Sequence, residues 1–209
     1  MADHHTARIR MSAAGQEAWR RSQSGSGSAA PDPHVAEVVE IRGPLDTSCF
    51  EEAVRRVTGE SEALRLRFAD GSSQRGETGQ EAPHLEPSGK FPLPLVDLSG
   101  ESDPRAAADE WERAELARPL GEQLSAQALL RLSARHFRWF HRHHLSALDS
   151  FGCALVTRRV AEVYTARTEG WAPEEGSLVP LSRLEAEETE YRASEKHGED
   201  RDFWLKRYK

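Results

Sequence analysis

Trp139-Phe140-His141-Arg142-His143-His144-Leu145-Ser146-Ala147-Leu148-Asp149-Ser150-Phe151-Gly152 is the stretch on which the reading of this 209-residue chain turns. Three of its nine histidines lie here, at the end of a predicted strand and just before a predicted helix. Such a junction offers free backbone amides on a rigid frame. Neutral imidazole is also the side chain best matched to proton transfer near neutral pH. Three readings compete. The histidines are half-wet strand residues with Asp149 capping the next helix. Or His141 and His143, two apart on one strand face, hold a metal. Or one histidine is a general base with Asp149 as an orienting carboxylate. A metal needs three or four ligands and no second Cys/His cluster is evident in the sequence, so no metal is expected.

Working outward, Gln127 to Leu132 and His136 to His144 read as a strand pair joined by a turn at Ser133-Ala134-Arg135. A helix from Phe151 follows, with Leu155, Val156, Val160, Val163 and Tyr164 on one side. Upstream, a short helix is expected around Ala13 to Arg21, then a flexible Ser/Gly-rich connector over residues 22–33. Val35 to Arg42 alternates as a strand, with Val35, Glu37, Val39 and Ile41 on one face. Gly43-Pro44 ends it. Asp46 then caps a helix whose apolar face is Phe50, Ala53, Val54 and Val57. Leu64, Leu66 and Phe68 mark another strand, and residues 69–90 a long polar loop. Pro92 and Pro94 confine the strand of Phe91 to Leu98 to an edge. Asp103-Pro104 opens a helix through about Leu116. After a linker from Trp171 to Pro180, a capping box at Ser182-x-x-Glu185 opens a Glu-rich helix, and a last helix carries Phe203 and Trp204.

The composition excludes several classes. A formal net charge of −7 argues against nucleic-acid binding. The pairs Arg20-Arg21, Arg55-Arg56 and Arg158-Arg159 read as exposed helix faces. No stretch approaches the length of a membrane span, and residues 1–11 carry no apolar signal run, so a cytoplasmic location is expected. Cys49 and Cys153 read as small hydrophobes in a reducing compartment. The sum is an α/β chain, an α+β sandwich with a mixed sheet flanked by helices.

Residues 143–152 resemble the HHxxxDG active-site motif of condensation domains from nonribosomal peptide synthetases, which belong to the chloramphenicol acetyltransferase-like superfamily of acyltransferases. Ala154 to Tyr164 is similar to the helix that follows that motif. Ser12-Ala13-Ala14 with Gln16 and Trp19 resembles the opening S-x-A-Q helix. Ile41-Arg42-Gly43-Pro44-Leu45-Asp46 is similar to I-x-G-P-L-D, Glu62 to Phe68 to H-E-x-L-R-x-x-F, and Asp200 to Trp204 to D-x-x-F-W. The resemblance implies the N-terminal lobe of such a domain over residues 1–170, then a linker and the start of a second lobe over 171–209. It implies amide formation between acyl and aminoacyl thioesters carried on the phosphopantetheine of carrier proteins, with no cofactor or metal bound directly. Partners would be those carriers, adjacent synthetase modules and a separate second lobe. His144 and His143 are the implied catalytic residues. Asp149 would be structural, paired with Arg65, and Ser150 stands where the motif has Gly.

Two registers remain open. Anchored on Asp149 and the following helix, the motif reads His144, Leu145, Asp149 and Ser150, which puts Leu145 at the catalytic histidine. Anchored on the His pair, His143 and His144 stand correctly and one extra residue precedes Asp149. Trp139 at its usual offset favours the first. Ser150 would adopt the glycine conformation at a cost. The chain reaches Lys209 just where a second lobe would begin. The alternatives are therefore an inactive or carrier-recruiting relative of the same fold, or another HHxxxD-type acyltransferase acting on coenzyme A thioesters.

Overall fold

Two apolar faces of one antiparallel strand pair organise the structure, a computed structural model that describes residues 11–23, 33–68, 85–87, 92–120, 123–176 and 178–208. Strands β5 (Ser125–Ser133) and β6 (His136–His144) form the expected strand pair, an antiparallel hairpin. β1 (His34–Arg42) pairs antiparallel along the far side of β6, from His34 opposite His144 to Arg42 opposite His136. β4 (Leu95–Asp97) runs parallel to β5 at the edge of the sheet, directly after Pro92 and Pro94. The sheet order is therefore β1-β6-β5-β4, a mixed sheet. β2 (Leu66–Phe68) and β3 (Leu85–Pro87) make a separate two-stranded sheet.

Phe137 and Trp139 of β6 and Leu129 of β5 face helices α2 (Thr47–Glu60) and α4 (Ser150–Glu169). Phe50, Ala53, Val54 and Val57 of α2 are buried here, as their helical spacing requires, and Phe50 meets the Trp139 ring edge-on. On the opposite face, Ala128, Leu130 and Leu132 pack on Ala108 and Trp111 of α3 (Pro104–Ala117), and Trp111 meets Phe140 edge-on. Asp46 caps α2 by accepting from the N–H groups of Ser48 and Cys49, and Asp103 caps α3 in the same way. Gly43 ends β1 at φ 115°, a conformation that needs glycine.

Some expectations are corrected. Residues 85–87, read as part of a loop, pair with β2, because extended chain beside an open strand edge gains ladder hydrogen bonds. Leu64 lies in a 3₁₀ turn (Ala63–Arg65) rather than in the strand. Arg159 is buried, not solvated: its guanidinium reaches Glu60 at 2.8 Å and the Glu174 carbonyl at 2.6 Å. Helix α5 (Leu181–Ala193) has Pro180 at its cap position and no capping box, since Ser182 is already inside the helix. Residues 24–32 of the connector, 69–84 and 88–90 of the loop, Phe91 and residues 1–10 lie outside the described residues.

Candidate functional site

The chemistry-bearing corner lies where β6 runs out and α4 begins. β6 is paired on both sides up to His143, and His144 still pairs with His34 and donates its N–H to the Leu124 carbonyl at 2.8 Å. Strand alternation puts His143 and His144 on opposite faces of the sheet. Both are enclosed, at 1% and 3% exposure. His144 lies edge-on to Phe68 and its Nδ1 accepts from the Ser146 N–H at 3.0 Å. Leu145, the next residue, is 40% exposed.

Leu145 to Asp149 form one wall of a groove of about 280 Å³. Its other walls are Met11, Ser12 and Ala14 at the start of helix α1 (Ala13–Gln23), Leu66 of β2, and the face of α5 from Leu181 to Arg192. Gly15 lets α1 approach closely, for a Cβ there would lie 3.1 Å from the Ser146 carbonyl oxygen. Ser146 Oγ donates to the Gly15 carbonyl at 2.9 Å and fastens helix to turn. Glu188 of α5 accepts from the Ala13 N–H at 2.7 Å, and Glu62 accepts from the Leu181 N–H at 2.8 Å. Among the described residues the groove is lined by no histidine.

Asp149 does not pair with Arg65. Its carboxylate turns to the new helix and accepts from the Gly152 N–H at 2.8 Å, the lower-cost partner for an exposed cap residue. Arg65 keeps its Nε buried without a hydrogen-bond partner among the described residues. Ser150 is the first residue of α4 and its φ is not positive, so the glycine conformation expected there is not required.

Behind the corner, on the α4 side of the sheet, lies a second group. Ser125 Oγ is 2.8 Å from His143 Nδ1, and His143 Nε2 is 3.0 Å from His141 Nδ1. His141 Nε2 is 3.2 Å from Glu37 Oε2, which also accepts from Thr157 Oγ1 at 2.7 Å. Burial holds both imidazoles below their usual pKa range, with Glu37 opposing the shift at His141 and His141 adding to it at His143. Cys153 of α4 joins them, with one ligand atom from each of the three residues lying within 4.8 Å of the others. Burial, then Glu37 and Asp149, push its thiol up to about 11. Cys153 is buried, as expected of a small hydrophobe, and its place in the first turn of the helix that covers the His-x-His face brings it to the two imidazoles. Neither cysteine is in a disulfide.

The family model described as the condensation domain matches residues 30–209. The chain belongs to the condensation-domain family. It is 39% identical over 182 residues to the isonitrile lipopeptide synthase of Streptomyces coeruleorubidus, a match covering 85% of this chain and 12% of that protein. It is 36% identical over 181 residues to the dimodular nonribosomal peptide synthase of Bacillus subtilis, covering 85% of this chain and 7% of that one. The starter condensation domain of rhizomide synthetase superposes with a TM-score of 0.80 at 30% identity, over 96% of this chain and 48% of that one. The first condensation domain of the calcium-dependent antibiotic synthetase gives 0.80 at 28% identity, over 97% and 47%. This condensation-family chain thus spans about half the length of those solved chains and a small part of the curated synthetases. Among its described residues no helix is long and apolar enough to cross a membrane.

Proposed function

We propose that this chain works in nonribosomal peptide assembly as part of a condensation domain, with carrier proteins as partners, and that its motif corner receives a carrier-borne thioester without offering it an imidazole. In the family reaction an amine attacks a thioester carbonyl, an amide forms, the thiol leaves and the amine gives up a proton. A histidine beside the amine favours that step by accepting the proton or holding the developing charge. The observation that carries the reading is Leu145: it forms the groove wall while His143 and His144 are buried to either side of the sheet. An apolar side chain there takes no proton from the amine. The family membership and the synthetase relatives support the assembly-line setting. A variant of the rhizomide starter domain was solved with C8-CoA and Leu-SNAC, which supports a pantetheine-type arm as the groove's occupant.

The test supplies the rest of a matching condensation domain in trans, loads donor and acceptor carriers, and follows dipeptidyl product by mass spectrometry. Carrier binding without product is expected from the natural sequence, with a gain of at least tenfold over background for Leu145→His. Product from the natural sequence that disappears on His144→Ala would overturn the reading in favour of a catalytic His144.

A further inference from the structure

We infer that His141, His143 and Cys153 form a binding site for a zinc-class divalent cation, held by His141 Nδ1, His143 Nε2 and the Cys153 sulfur. The two facing nitrogens are 3.0 Å apart, and one ligand atom from each residue lies within 4.8 Å of the others. Tetrahedral zinc, with bonds of about 2.0 Å to nitrogen and 2.3 Å to sulfur, sets its ligand atoms about 3.3 to 3.6 Å apart, so the group closes on an ion by small side-chain shifts. Two imidazoles and a thiolate are a donor set for zinc or a neighbouring transition metal, not for calcium or magnesium.

The outer contacts are those a metal site needs. Glu37 and Thr157 engage the far nitrogen of His141, and Ser125 the far nitrogen of His143, which fixes both rings with their other nitrogens inward. All three ligands are buried, at 1%, 1% and 2% exposure, and an ion held by three protein ligands keeps a fourth position for a water. Without metal, His141 Nε2 donates its N–H to the Glu37 carboxylate. His143 Nε2 then donates to His141 Nδ1, and Ser125 donates to His143 Nδ1. On binding, the ion replaces that inner proton: His143 shifts its proton to Nδ1 and donates to Ser125, and the Cys153 thiol releases one proton to solvent. The ion would join the end of β6 to the first turn of α4, closing the loop that carries Leu145 to Asp149 from behind.

The test uses the full chain, stripped with a chelator and titrated with Co²⁺ and then Zn²⁺. One equivalent of Co²⁺ is expected, with a thiolate-to-cobalt charge-transfer band that one equivalent of Zn²⁺ abolishes. Cys153→Ser should remove the band and lower affinity at least a hundredfold, whereas Cys49→Ser leaves both unchanged. Glu37→Gln, which keeps the ligands and loses the outer carboxylate, should weaken binding by about ten- to a hundredfold. Matched circular dichroism of the metal-free variants separates loss of a ligand from loss of the fold, and zinc should raise the melting temperature of the natural sequence without any substitution. Natural-sequence chain that takes up no stoichiometric cobalt, or a charge-transfer band that survives Cys153→Ser, overturns the proposal.

Discussion

Single residues divide here into those that hold the fold and those that shape the corner. Arg159 is the clearest of the first kind, with Glu60 at 2.8 Å and the Glu174 carbonyl at 2.6 Å joining α4 to α2 and to the segment after it. Arg159→Ala would leave Glu60 part-buried with Arg56 as its remaining cationic partner. A loss of about 2 kcal/mol is expected by urea unfolding, the usual scale for hydrogen bonds to a charged group; a change within error would show the pair to be solvated. Asp46 makes a pH prediction. The Ser48 side chain and the amides of Ser48 and Cys49 hold its pKa down to about 2, below the ordinary 3.8. A depressed carboxylate stabilises the fold above its ordinary pKa, and the contribution is lost as pH falls from there toward about 2. The stability difference between the natural chain and Asp46→Asn should be present at neutral pH and close across that window in acid; a difference independent of pH would contradict it.

Elements were legible in the sequence where burial is one-sided. The two-residue alternation of Val35 to Ile41 and the helical spacing of Phe50, Ala53, Val54 and Val57 both survive into the structure, because each element has one apolar face to hide. β3 was not legible: three residues paired with another short strand leave no periodicity to read. Nor was the third member of the buried His group. His141 and His143 announce their shared face by spacing, but Cys153 comes from another element, and only packing of α4 on the sheet brings it there. The opposite facing of His143 and His144 does follow from strand alternation, once β6 is known to continue through His144. What strand alternation does not give is the groove, which needs α1 docked on the turn. Ser146→Ala, which removes the bond to the Gly15 carbonyl, should loosen that docking by about 1 kcal/mol and speed amide exchange across α1 while leaving α2 and α4 unchanged. Uniform exchange in all three helices would mean the bond does not set the position of α1.

At the scale of the whole molecule, this chain carries a condensation-family scaffold. The mixed sheet and the helices on both of its faces align with solved condensation domains over nearly all of the chain. The corner puts a leucine on the groove and sequesters three histidines beside it, two of them grouped with a thiol behind the sheet. Carbethoxylation of the natural chain, mapped by mass spectrometry, reads that distribution of imidazoles directly. His136 and His197, both part-exposed, serve as internal references. His141, His143 and His144 should react far more slowly than either reference while the chain is folded, and at comparable rates once it is unfolded in urea. A His143 or His144 modified in the folded chain as fast as His136 would place an accessible imidazole at the corner and overturn this arrangement.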